Sequence, residues 1–305
     1  MSSPATTTHA ANPASGFYAG LIARSLGLTL RLSQSVAPAA ATRLALRLFF
    51  TPLPLKLAAR RQTLPAPWRF EHWSFEQGAV AMYRRSDPAT GDAPPRPTVL
   101  LVHGWAGDAQ QMLALGDALA AAGFDPVLLD FPAHGRSGGW RATLPQFVRA
   151  LWAASARLGP LHGVVGHSLG ALAAAHAAAN GLPVGRLALI APSPPPALFL
   201  QWFARSLRLG EGISQRMGST IERVEGVPLV RFEPGWLGPR LAQPTLVVHD
   251  EGDRVSPLAV GQRLSQAVVG ARLLVTRSLG HRRVLADAAV AQAVVAHLRP
   301  NGSEM

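Results

Sequence analysis

Six short, nearly unbroken apolar runs recur along this chain: "PTVLLVHGW", "FDPVLLDF", "LHGVVGHS", "GRLALIAPS", "QPTLVVHDEGD" and "ARLLVTRSLGH". A strand without polar alternation is one covered on both faces, as in a parallel sheet. Between the runs lie stretches of helical character, among them "AQQMLALGDALAAAG", "LPQFVRALWAASARLG" and "LGALAAAHAAANG". Strands alternating with helices of this length form βαβ units, so the expected class is α/β, a mostly parallel sheet flanked by helices. "RFEHWSF" and "AVAMYRRS" precede the first unit and read as a hairpin.

The rhythm breaks twice. Between Pro192 and Arg240 the chain is irregular and partly helical, and it carries Trp202, Phe203 and Trp236. An insertion there sits above the carboxyl edge of the sheet, where open α/β folds bind ligands. At the other end, residues 1 to 16 are rich in Ser, Thr, Pro and Ala and are expected to be disordered. Two helical stretches follow between Phe17 and Arg61, with Arg24 and Arg31 on one face and Arg43 and Arg47 on another. That leaves Leu44, Leu48, Phe49 and Phe50 to be buried. They are expected to pack on the main domain; the second reading is a basic amphipathic segment over residues 17–61 on an anionic membrane surface. The division expected is a tail and helical extension over 1–66, then one domain over 67–298 with an insertion at about 193–240.

The net charge of +12 invites a nucleic-acid reading, but Lys56 is the only lysine, and Arg, Ala, Pro and Gly are all abundant. That pattern points to a GC-rich coding sequence. The arginines are scattered and no basic–aromatic interleave appears, so no nucleic-acid partner is expected. With no cysteine, disulfides and thiolate metal sites are excluded. The N-terminus does not read as a secretory signal, and no apolar run has the length of a membrane span. The expected location is the cytoplasm, with peripheral membrane contact as the second reading. No H-E-x-x-H, P-loop or Rossmann glycine pattern is present, so neither a metal nor a cofactor is expected.

In "GVVGHSLGAL" a strand, a G-x-S-x-G turn and an alanine-rich helix meet at Ser168. A sharp turn of that kind leaves no room for side chains at Gly166 and Gly170. A serine hydroxyl is a weak nucleophile and needs a base, and the base needs a carboxylate to hold its tautomer. His281, in "RSLGHRRVL", is the expected base. Asp253, in "VVHDEGDRVSP", is the expected acid, with Asp250 and Glu251 beside it read as solvated loop groups or turn formers. Asp253 directly follows a buried strand and His281 follows the next strand, and the order Ser, Asp, His is that of one hydrolase fold. The oxyanion is expected to meet the backbone N–H groups of Leu169 and Trp105. Trp105 also lines the expected pocket, with Trp202, Phe203 and Trp236. His134 and Gly135, in "DFPAHGRSGG", are expected to buttress the site. His103 and His167 are read as structural neighbours.

Together "LLVHGWAG", "LLDFPAHGRSGG", "VVGHSLGA", "VVHDEGDRVSP" and "SLGHRRVL" resemble the α/β-hydrolase superfamily over roughly residues 68 to 298. The resemblance implies an eight-stranded, mostly parallel sheet with a cap inserted near residues 193 to 240. It implies Ser168, Asp253 and His281 as the triad. "PAHGRS" departs from the Gly-His-Gly-x-Ser common among relatives, which touches a supporting loop only. The expected activity is a serine hydrolase forming an acyl-enzyme on a partly apolar, small-molecule carboxylic ester. Thioester or carbon–carbon hydrolysis on the same residues, and a non-catalytic ligand-binding module, are the alternatives.

Overall fold

The computed structural model describes residues 27–30, 33, 36–52, 59–86, 95–209 and 211–299. The Ser/Thr/Pro-rich start, Arg24 and Arg31 lie outside these residues.

The apolar runs form strands β3 (Thr98–Val102), β4 (Asp125–Asp130), β5 (Leu161–His167), β6 (Val184–Ile190) and β7 (Thr245–Asp250), nearly all of whose residues are buried. The hairpin is β1 (Trp68–Phe75) and β2 (Gly78–Arg85), and β8 (Arg272–Thr276) closes the far edge. The eight strands run in the order β1-β2-β4-β3-β5-β6-β7-β8. β1 and β2 pair antiparallel, as do β2 and β4, and every other pair is parallel. Every parallel strand therefore ends at one edge, where the loops after β3, β5, β7 and β8 meet. The exposed edge strand β1 carries Arg69, Glu71 and His72, polar groups that discourage pairing with another sheet.

Helices cover both faces. α2 (Leu113–Ala121) and α10 (Ala288–Leu298) cover one face of the sheet, against which Leu115, Leu119, Val290 and Val294 pack. α3 (Leu144–Leu158), α4 (Leu169–Ala179) and α9 (Leu258–Ala267) cover the other, through Phe147, Leu151, Leu172 and Leu264. α4 is hydrophobic all round because it is buried all round, between the sheet and the loop carrying Phe232.

His176, on α4, stacks on Phe232 at 4.2 Å and on Trp236 at 5.7 Å. Burial, helped by the charge of Arg231, pushes its pKa down from 6.5 to about 4. The unfolded chain binds a proton near pH 6.5 and the folded chain only near pH 4. Stability from this residue is therefore full above pH 6.5 and is lost as pH falls towards 4. Acidification from pH 7 to pH 5 is expected to cost the native protein about 2 kcal/mol more than a His176→Phe variant, read by urea unfolding at the two pH values. Equal slopes would remove His176 as the cause.

Between β6 and β7 the chain leaves the sheet as α5 (Pro196–Ser206), α6 (Glu211–Glu225) and three short helical turns, one at Leu229–Phe232 and then α7 (Pro234–Leu237) and α8 (Gly238–Arg240), which are consecutive. The N-terminal helix α1 (Pro38–Phe49) packs here and not on the sheet. Leu30, Ala45 and Leu46 join Leu200, Phe203, Ile213 and Met217 in a third apolar cluster. The Phe49 ring lies 5.2 Å from Phe203 and 5.8 Å from Phe199, and the Phe50 carbonyl accepts from Ala142 N–H at 3.0 Å. Leu48, Phe49 and Phe50 are thus partly buried by the inserted segment, while Leu44 stays largely exposed. Among the described residues no helix is long and apolar enough to cross a membrane.

Candidate active site

Ser168 stands between β5 and α4 with φ 52° and ψ −117°, a strained conformation for a residue with a side chain. The surroundings enforce it. A Cβ on Gly166 would lie 2.6 Å from the Ala171 Cα, and one on Gly170 would lie 2.3 Å from the His103 carbonyl oxygen. The turn can therefore be this tight only with glycine on both sides. The Ser168 N–H donates to the Ile190 carbonyl at 2.9 Å, and its own carbonyl accepts from Ser193 N–H at 3.0 Å.

The loops after β7 and β8 bring the other two groups to it. His281 Nε2 lies 3.0 Å from Ser168 Oγ, and its Nδ1 lies 2.7 Å from Asp253 Oδ2. The other Asp253 oxygen, Oδ1, accepts from Val255 N–H at 2.8 Å and Ser256 N–H at 2.9 Å. Those donors fix which carboxylate oxygen faces the imidazole. With Nδ1–H donating to Asp253, Nε2 carries the lone pair that faces the serine proton. Behind the carboxylate, His249 Nε2–H donates to the Ser256 carbonyl at 2.7 Å. Burial pushes the His249 pKa down, so it stays neutral and adds no competing charge.

Asp250 is fully buried. Its Oδ1 accepts from Gly252 N–H at 2.9 Å, and its Oδ2 accepts from the Thr276 hydroxyl at 2.9 Å and Leu279 N–H at 3.0 Å. Burial raises its pKa, but donors from Leu279, Gly280, Thr276 and Gly252 outweigh this and hold it below the usual carboxylate range. One carboxylate thus ties the loop of Asp253 to the loop of His281. It is a turn former, as the sequence allowed, but a buried one. Glu251 points outward and pairs with Arg277 at 3.3 Å.

His167 donates from Nε2 to the His281 carbonyl at 2.8 Å, joining the serine turn to the histidine turn. Burial, and then the neighbouring His281, push its pKa well down, so it is neutral. His103 accepts from Phe131 N–H through Nε2 at 3.1 Å and donates from Nδ1 to the Gly104 carbonyl at 2.7 Å, shaping the turn before Trp105. Asp130 holds the loop of His134 and Gly135: its carboxylate accepts from Ala109 N–H at 2.6 Å, Arg136 N–H at 2.7 Å and the Tyr83 hydroxyl at 2.5 Å.

Leu169 is the first residue of α4, so its N–H has no acceptor within the helix. Trp105 stands across the turn, its ring edge-on to His134 at 5.1 Å and stacked near Phe147 at 6.3 Å. Both residues line a cavity of about 1080 Å³ that opens over Ser168, His281 and Asp253. This is at the upper end for small-molecule sites. Phe49, Phe50, Phe199, Leu144 and Phe232 also line it.

Three residues expected at the pocket are not on its lining. Phe203 is fully buried beneath Phe49, and Trp202 packs beside Phe199 at 6.4 Å. Trp236 lies against α4, between His176 and the guanidinium of Arg240 at 4.3 Å. On α5 the side that meets the cavity is that of Phe199, and an aromatic-rich segment does not by itself say which ring faces inward. The aromatics missed were Phe49, Phe50, Phe199 and Phe232. For Phe49 and Phe50, being left over from an amphipathic pattern was the available signal.

A family model described as alpha/beta hydrolase fold matches residues 97–233, and one described as TAP-like protein matches residues 231–303. None of the curated proteins matches this chain. Among solved structures, the chain is similar to a membrane phospholipase A described as a bacterial virulence factor, with a TM-score of 0.58 and 19% identity over 89% of this chain and 96% of that one. It is similar to an esterase of Pyrococcus furiosus, with a TM-score of 0.58 and 18% identity over 78% of this chain and 96% of that one. The thioesterase domain of the curacin biosynthetic pathway follows, with a TM-score of 0.54 and 17% identity over 76% and 98% of the two chains. At these identities the likeness is one of fold.

Proposed function

This chain belongs to the α/β-hydrolase superfamily, and from that premise we propose that it is a serine hydrolase cleaving carboxylic esters with an apolar acyl group. The observation that carries the reading is the continuous path from Ser168 Oγ through His281 to Asp253, at 3.0 and 2.7 Å. Similar structures of an esterase, a phospholipase and a thioesterase domain support the acyl-transfer class.

In this reading Ser168 Oγ attacks the carbonyl carbon while His281 Nε2 takes its proton. Asp253 holds the imidazole in the Nδ1–H tautomer and stabilises the imidazolium. The N–H groups of Leu169 and Trp105 receive the charge that develops on the carbonyl oxygen. His281 then gives its proton to the leaving oxygen, the alcohol departs, and an acyl-serine remains. Water attacks that ester, again losing its proton to His281, and the carboxylic acid leaves with Ser168 restored.

The test is a series of p-nitrophenyl esters from acetate to laurate, with a fluorophosphonate probe used alongside. Each methylene that enters the apolar part of the cavity is expected to lower KM about fourfold until the cavity is filled. The probe is expected to label Ser168. No turnover of any ester together with no labelling would overturn the reading.

A further inference from the structure

We propose that the His281 side of the cavity is an anion-binding subsite, so that the ester cleaved has an apolar acyl chain and a leaving group bearing a carboxylate or phosphate. The proposal rests on the reading of Ser168 as nucleophile and His281 as proton donor to the leaving group.

The residue after Asp253 is Arg254, and those after His281 are Arg282 and Arg283; all three line the cavity. Arg283 is held to its own loop, donating from Nε to the Leu279 carbonyl at 3.0 Å and from Nη2 to the Ser278 carbonyl at 2.7 Å. Among the described residues, the guanidinium groups of Arg254 and Arg282 have no ion pair and no hydrogen bond. Among the described lining residues Asp253 is the one carboxylate, and its oxygens are committed to His281, Val255 and Ser256.

An arginine-rich chain places arginines on many surfaces, so position decides the matter. Arg277, on the same loop as His281, is paired with Glu251, and Arg149 is paired with Glu76 and Glu225. Arg254 and Arg282, both exposed, differ in contributing to the cavity lining and in lacking a counter-charge among the described residues. Like charges gathered at a partly enclosed surface raise the local potential and draw in an anion.

The side of the substrate follows from the proton path. A leaving oxygen protonated by His281 Nε2 must lie within hydrogen-bond reach of it. Substituents on that oxygen therefore extend along the loops that carry Arg254 and Arg282. Phe49, Phe50, Phe199 and Phe232 supply apolar lining for the acyl chain. An anion on the acyl chain would have to be desolvated there without a partner.

The experiment compares 3-carboxyphenyl octanoate with its neutral counterpart, 3-carbamoylphenyl octanoate, at low ionic strength. The native enzyme is expected to favour the anionic ester by about tenfold in kcat/KM, mostly through KM, and the preference should shrink as salt is added. Arg254→Ala combined with Arg282→Ala is expected to bring the ratio close to one. Arg282→Glu should reverse it, which loss of local structure would not do. Arg277→Ala, outside the cavity, is the control and should keep the ratio. A native ratio near one, or a ratio unchanged in the double variant, overturns the proposal while leaving Ser168 as nucleophile. Failure to cleave either ester faster than Ser168→Ala does overturns both.

Discussion

Ser168→Ala is expected to lower kcat for p-nitrophenyl esters by about 10⁴ to 10⁶ while leaving the fold intact. The size follows from what is removed. In the proposed mechanism the serine oxygen forms the acyl bond, and among the described residues no other hydroxyl hydrogen-bonds to His281 Nε2, which Ser168 Oγ meets at 3.0 Å. Without it, His281 can at best activate water against an ester held by the cavity and the two backbone donors, which leaves the slow background such sites retain. Stability should hardly change. The strained backbone at φ 52° is set by the glycine-flanked turn, and alanine has the same Cβ as serine. Circular dichroism and thermal unfolding beside the kinetics separate lost chemistry from lost structure. A folded variant that kept more than a tenth of native kcat would remove Ser168 from the mechanism.

Much of this arrangement is legible in the sequence, for a physical reason. Strands β3 to β7 are buried on both faces, so their apolar runs stand out, and parallel pairing sends their ends to one edge. Once "GHSLG", "DEGD" and "SLGH" are placed at strand ends, the topology brings Ser168, Asp253 and His281 together. What the sequence hides is which loop lies on which. Asp250 looks like any acidic loop residue, yet it is buried because the turn of Leu279 folds onto it. The cavity lining is less legible still. Trp202, Phe203 and Trp236 belong to a segment whose helices pack on one another and on α4, with no sheet register to orient them. Phe49 and Phe50 come from outside the α/β pattern, more than a hundred residues before Ser168, and only tertiary contact places them on the cavity.

Asp253→Asn is expected to lower kcat by about 10⁴ with little effect on KM, although it changes a single atom. The reason is that the amide cannot satisfy both of its neighbours. In one orientation its NH₂ replaces Oδ2 and donates to His281 Nδ1, where the carboxylate had accepted at 2.7 Å. That selects the tautomer with the proton on Nε2, and Nε2 can then no longer accept the proton of Ser168. In the other orientation the amide oxygen keeps its bond to His281, but the NH₂ must face the N–H groups of Val255 and Ser256, which had donated to Oδ1 at 2.8 and 2.9 Å. Three donors would then meet without an acceptor in a buried turn, a cost of about 1–3 kcal/mol for each group left unpaired. The first orientation is therefore the one adopted, and the wrong tautomer follows from it. The substrate still meets the same cavity walls, so binding is preserved and the loss falls on kcat. Nitrogen-15 chemical shifts of the His281 ring report the tautomer directly. An Asp253→Asn protein that kept its proton on Nδ1 and lost activity all the same would show that the carboxylate acts through its charge and not by orienting His281.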